Sequence, residues 1–290
     1  MLHSPNIAPW IVRMIEETVA ASPENTLALS TGEPAFDRPL VGFSSGADSL
    51  YAEYMRHIGT FYLTPLKILQ TAFPDAAFHD PEAVSVISWI LPSTSATRRE
   101  QSHAVGHPSE RWARTRLYGE RFNDVLRQHV VNRLSQEGIP AVAPVLTSFW
   151  SRSDQGPYAP CSNLSERHAA FAAGLGTFGL CDGLITPLGK AMRTGSVVAG
   201  IALPPTPRPY TDIHAHCLHY SHGTCSKCIP RCPVDALGHD GHDKARCIQY
   251  TEKTMNTFMK ETYHLETYAC GLCQAAVPCM DHIPGPEEGG

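Results

Sequence analysis

Basic charge and long apolar runs are scarce in this 290-residue chain, and cysteine is scarce over its first two hundred residues. Lys and Arg number 23 against 28 Asp and Glu, a formal net charge of −5. Without a positive surplus the chain lacks the electrostatic footprint of a general nucleic-acid binder. No apolar stretch approaches the ~18 residues that suggest a membrane span. The first twenty residues show neither a basic start followed by an apolar segment nor a twin-arginine signal, so the expectation is a cytoplasmic protein with no membrane partner. Charged residues make up 18% and apolar residues 42%, a globular rather than a disordered balance. The length suits one large domain or two smaller ones.

Cysteine then becomes abundant. Eight of the ten lie from Cys217 onward, and Cys161 and Cys181 are the other two. A disulfide scaffold is short, secreted and stapled throughout. Thiols crowded into one end of a long chain read as metal ligands.

Hydrophobic spacing organises the part before them. Residues 5–20 carry Ile7, Ile11, Met14, Ile15 and Val19 at helical intervals. A loop over 22–46 contains a short strand near Leu40–Phe43. Helical spacing over Tyr51–Phe73 is interrupted by Pro65. Val84–Leu91 reads as a buried strand, 92–110 as a polar loop, Glu110–Gln136 as the longest helix, and Ala141–Thr147 as the next strand. A Gly/Pro/Ser-rich loop over 150–164 precedes a short helix from Ser165 through Ala173. Strands are expected at Asp182–Ile185 and Ser196–Leu203, and PPTPRPY at 204–210 marks a domain boundary.

Cys225, Cys228 and Cys232 followed by Pro233 reproduce most of a bacterial ferredoxin run. There, three closely spaced thiolates hold one cubane and the thiolate before proline belongs to the other. A second set is therefore required downstream, and Cys247, Cys270, Cys273 and Cys279 supply it. The competing zinc reading suffers from spacing: Cys228 and Cys270 are 42 residues apart, whereas zinc knuckles pair over ~15–20. The first cysteine of the run is missing. Either Cys217 or His222 could supply that corner; thiolate is the commoner ligand, and imidazole would raise the potential.

The second half resembles the epoxyqueuosine reductase and reductive dehalogenase superfamily. The likeness rests on SVISWILP at 85–92, on ERHAAFAAGLGTFGLCDGLITPLGKAMRTGSVVAGIALP at 166–204, on the CxxCxxxCP run, on ARC at 245–247 and on CGLC at 270–273. It implies an α+β architecture: a nitroreductase-like, three-layer, cobalamin-binding domain over residues 1–210, then a ferredoxin-like double-cluster module over 211–290. It also implies two [4Fe–4S] clusters. One would take Cys232, Cys247, Cys270 and Cys273. The other would take Cys225, Cys228 and Cys279 with Cys217 or His222, although the five-residue gap before Cys279 departs from the family's CxxCxxxCP ending.

The same likeness implies a corrin near Gly174, Gly176, Gly179, Thr186 and Arg193. Electrons would come from an external low-potential donor such as a ferredoxin or flavodoxin and would cleave a small-molecule substrate reductively. Where epoxyqueuosine reductases carry an aspartate before the position of Glu166, this chain has Pro160, so Tyr158, Cys161 and Asp154 are the candidate proton donors. The family's tRNA-acting members often have further C-terminal repeats. Residues 212–290 hold 6 basic and 10 acidic residues, which disfavours tRNA mildly without excluding it. The alternative function is a ferredoxin-type electron carrier, or a corrinoid-reducing partner, with no substrate of its own.

Overall fold

The computed structural model describes residues 7–156 and 158–289. The chain runs through helix α1 (Ile7–Ala21), strand β1 (Leu40–Ser45), helices α2 (Ser49–His57) and α3 (Pro65–Ala72), strand β2 (Ser85–Pro92) and helices α4 (Ser95–His103), α5 (Glu110–Arg114) and α6 (Glu120–Gln136). Then follow β3 (Ala141–Val142), β4 (Arg152–Ser153), β5 (Cys161–Ser162), α7 (Glu166–Ala172), β6 (Thr177–Phe178), β7 (Leu184–Ile185) and β8 (Met192–Ala199). The cysteine-rich end contains α8 (Leu218–His222), β9 (Leu237–Gly238), β10 (Gly241–His242), α9 (Lys244–Gln249) and α10 (Asn256–Thr262).

One four-stranded antiparallel sheet, in the order β1-β2-β8-β3, carries the mixed helix-and-sheet part. All eight residues of β2 are buried, as a central strand covered on both faces requires. Alternation divides its side chains between two cores. Ile87, Trp89 and Leu91 pack with Ile11 and Ile15 of α1 and with Phe122, Leu126 and Val130 of α6. Val86 and Ile90 face the other way, towards Tyr51, Tyr54, Ile68, Leu69 and the alanines of α7. The centre of that second face is small: Gly42, Ser88 and Ser196 lie in register across three strands. A Cβ on Gly42 would meet the Ala173 carbonyl at 2.6 Å, so the missing side chain lets the alanine-rich helix lie against the sheet.

Several local expectations change. The polar loop over 92–110 contains α4, whose sequence SATRREQSH has no apolar stripe to announce it. A cap and buried polar anchors hold it instead. Thr94 Oγ1 accepts from the Thr97 N–H, and Gln101 donates to the Cys270 carbonyl and accepts from the Ser109 N–H. The strand expected over Ala141–Thr147 stops at Val142, because Pro144 opens a short 3-10 turn. Strand β8 begins at Met192, ahead of the expected Ser196, and ends at Ala199. Pro65 splits Tyr51–Phe73 into α2 and α3 and stands in the first turn of the second. The long helix is interrupted by a π-helical turn at Thr115–Gly119.

No helix among the described residues is long and apolar enough to cross a membrane. The cysteine-rich end packs against the β6–β7 hairpin. Leu180 and Ile185 from the hairpin share an apolar cluster with Leu237, Val277 and several cysteines. At Gly189 (φ +76°) the turn after β7 approaches the chain so closely that a Cβ would lie 2.2 Å from the Met280 carbonyl.

Candidate functional site

Four cysteines from separate points of the sequence line one pocket: Cys217, Cys225, Cys228 and Cys279. Cys217 caps the N-terminus of α8, and Gly223, in the left-handed conformation, ends that short helix and turns the chain towards Cys225. The His219 ring bonds the Cys225 carbonyl at 3.0 Å. Cys279 reaches the pocket past Ala276, whose φ of +55° takes up the extra residues of the five-residue gap. His222 lies on the exposed end of α8 with its ring against Ser221 and does not line the pocket. The structure therefore places Cys217, and not His222, beside the other three.

The second group is assembled from three segments. Cys270 lies within electrostatic reach of Cys247 and Cys232, and Cys273 within reach of Cys270. The Cys232 sulfur accepts the Ala236 N–H at 3.2 Å, a bond of the kind that tunes a ligating sulfur. Cys247 stands on α9, which Asp243 caps. His242 approaches Cys247 and bonds Asp182 at 2.9 Å. Burial pulls the His242 pKa down, but Asp182 and Cys247 overcome it and raise it to about 10.

Among the described residues no three His, Cys, Asp or Glu side chains converge on a point as a single ion would require. Four thiols around one pocket are a donor set that suits iron–sulfur groups and structural zinc alike. Burial pushes the Cys228 thiol up to about 12 and the Cys270 and Cys279 thiols up to about 11. Without a metal these thiols are therefore neutral, and any metal group they held would have to displace their protons.

The other candidates fall in two places. Asp154 and Tyr158 are exposed on the loop closed by the β4–β5 pair, and Cys161 is half-buried in β5. Lys244 of α9 neighbours two of them: its Nζ bonds the Tyr158 carbonyl at 3.0 Å, lies 5.9 Å from the centre of that ring and acts on the Cys161 thiol, on which Asp154 also acts. Gly174, Gly176, Gly179, Thr186 and Arg193 do not form an open cradle. A Cβ on Gly174 would strike the Pro207 carbonyl at 2.5 Å, and one on Gly176 the Ile185 carbonyl at 2.4 Å. Gly179 faces the Ile185 side chain. Thr186 is fully buried and bonds Gly189 and Leu188 within its own turn. Arg193 is held by Glu120.

Two buried charged groups escaped the sequence reading. Arg127, 1% exposed, bonds both oxygens of Glu166 and also Glu120, Asp124 and the Thr194 carbonyl. Burial pushes Glu120 up, but Arg193, Arg127 and Arg116 together hold it at about 2. The i,i+4 spacing of Arg116 and Glu120 and the i,i+3 spacing of Asp124 and Arg127 were the visible signals. The second group is Lys190 with Cys181, linked at 3.3 Å, for which the sequence carried no spacing signal.

No family model matches the chain. Among curated proteins, the epoxyqueuosine reductase of Bacillus anthracis is 32% identical over 121 residues, covering 40% of this chain and 29% of its own. That of Lactococcus garvieae is 26% identical over 212 residues, covering 71% and 54%. The chain is similar to epoxyqueuosine reductases over these stretches. A solved reductive dehalogenase whose structure suggests a mechanism for B12-dependent dehalogenation shares the fold with this chain, at TM-score 0.50 and 17% identity, over 84% of this chain and 30% of that one. The matched part thus spans under a third of the Bacillus protein and about half of the Lactococcus one.

Proposed function

We propose that this chain is an iron–sulfur oxidoreductase. It takes electrons from an external low-potential donor such as a ferredoxin or flavodoxin and passes them through two [4Fe–4S] clusters to the reductive cleavage of a small-molecule substrate. Cys217, Cys225, Cys228 and Cys279 hold the first cluster; Cys232, Cys247, Cys270 and Cys273 hold the second. The carrying observation is the pocket lined by the first four thiols. The proposed domains are residues 1–210, with the sheet, and 211–290, with the cysteines. The proposed compartment is the cytoplasm, where thiols stay reduced.

The protein's part in this chemistry is to bind, bury and protonate. The partly buried thiols would hold the clusters away from bulk water, and backbone N–H groups such as that of Ala236 would offset the charge on sulfur. Tyr158, Cys161 and Asp154, the first two near Lys244, are the proposed proton donors to the substrate. A corrin is the acceptor suggested by the B12-dependent relative. The residues named for it do not fit one, because Gly174 and Gly176 are closed by backbone carbonyls and Arg193 is held by Glu120. That observation favours a second reading, an electron carrier without its own substrate.

Anaerobic reconstitution tests both. About eight irons and eight sulfides per chain are expected from two cubanes, while zinc without acid-labile sulfide would overturn the cluster reading. Titrating cob(II)alamin into the reconstituted protein then separates the alternatives. Loss of the nitrogen superhyperfine lines from its EPR spectrum, saturating near one equivalent, would restore a corrin acceptor. An unchanged spectrum beside intact cluster signals would leave the electron carrier.

A further inference from the structure

Between the two cysteine groups stands a side chain that belongs to neither motif. Lys190 follows the turn after β7, and its backbone N–H donates to the Cys279 carbonyl at 2.9 Å. The residue is 2% exposed and lines the pocket of Cys217, Cys225, Cys228 and Cys279. Its Nζ donates to the Cys181 sulfur at 3.3 Å. Cys181 is buried in turn and contacts Cys273 of the second group. An ammonium removed from water costs several kcal/mol unless negative charge surrounds it. The groups acting on Lys190 are Cys181, Cys279, Cys228 and Cys273. As neutral thiols these compensate it poorly; with Cys279 and Cys228 in one anionic cluster and Cys273 in the other, the compensation is strong.

We propose that Lys190 sets the reduction potential of both clusters, its buried ammonium stabilising the extra electron, with Cys181 as its non-ligating partner. The inference rests on the cluster reading above. Each cluster gains one negative charge when it accepts an electron from the external donor. A fixed cation in a low-dielectric site favours that reduced form and raises the potential. The Cys181 sulfur accepts from the ammonium at 3.3 Å, which takes up part of its field and confines the Nζ to the space between the two groups.

The test is an EPR-monitored redox titration of the reconstituted protein, with iron and sulfide measured on the same samples. A wild-type chain without about eight irons would sink the cluster reading itself. With iron in place, Lys190→Met should lower the reduced-to-oxidised ratio at a fixed potential about tenfold, equivalent to ~59 mV for one electron, and Lys190→Arg should largely restore it. An unchanged midpoint in an iron-replete Lys190→Met overturns the proposal. If that variant does not load iron, Cys181→Ala decides: full iron with a raised midpoint supports the proposal. An unmoved or lowered midpoint, or loss of a cluster's iron, shows that Cys181 is not a non-ligating partner and overturns it.

Discussion

At Cys217 and His222 two residues five positions apart compete for the same chemical role, and the fold separates them. Cys217 caps α8 at the pocket wall, while His222 lies at the exposed end of the same helix. Cys217→Ser is therefore expected to lower iron content by up to half, and His222→Ala to leave it unchanged; iron and sulfide assays check both. Cys273→Ala should likewise lose about one cluster's iron, with the first cluster's EPR signal preserved. Arg127 offers a test apart from the metal chemistry. Arg127→Met leaves Glu166 buried without its bidentate partner, and a loss of about 3–5 kcal/mol in unfolding free energy is expected. Denaturant unfolding measures it, and a variant within 1 kcal/mol of wild type would mean that Glu166 is protonated or has another partner.

At the scale of elements, the cysteine-rich end is fixed to the sheet-bearing part by close backbone approaches. Gly271 stands between Cys270 and Leu272 in the left-handed conformation, φ +65°. A Cβ there would lie 2.2 Å from the Trp112 ring of α5. Gln101 of α4 holds the Cys270 carbonyl from the same side. Gly271→Ala is thus expected to push the Cys270–Cys273 segment off α5 and to lower iron in the second group, while leaving the first group's EPR signal intact. Helix α4, which carries Gln101, was not legible in the sequence, because its anchors are polar and no apolar period marks them. The β2 strand was legible, because eight consecutive buried positions need a β-branched, apolar run.

For the whole molecule, burial of neutral thiols makes the metal-free protein sensitive to alkali. Burial pushes Cys228 up to about 12 and Cys270 and Cys279 up to about 11 in the folded chain, above the ordinary thiol range. Their contribution is complete below pH 9. Above it the unfolded chain releases these protons first, so stability falls progressively towards pH 11–12. Burial raises Tyr51, Tyr54 and Tyr62 in the same direction. The melting temperature of the metal-free protein should therefore drop from pH 9 to 11. That of the reconstituted protein should drop less, because ligation has already removed the thiol protons. Equal slopes for the two forms would argue that the raised thiols are not the ligands.

The sequence by itself determined that the cysteines crowd into one end and that three of them follow a ferredoxin-like spacing. Cys-x2-Cys-x3-Cys-Pro is a local pattern, and local spacing decides which thiolates one loop can present to one cluster. It also determined the central strand and the apolar face of α1, since both are written in hydrophobic period. Only the tertiary structure decided which residue completes the first pocket, because Cys217 and His222 differ by their place on one short helix. It alone closed the glycines at 174 and 176 against carbonyls from residues 207 and 185, contacts that no neighbouring residue announces. It alone set Lys190 and Cys181 between the two thiol groups, where charge and distance act through space rather than along the chain.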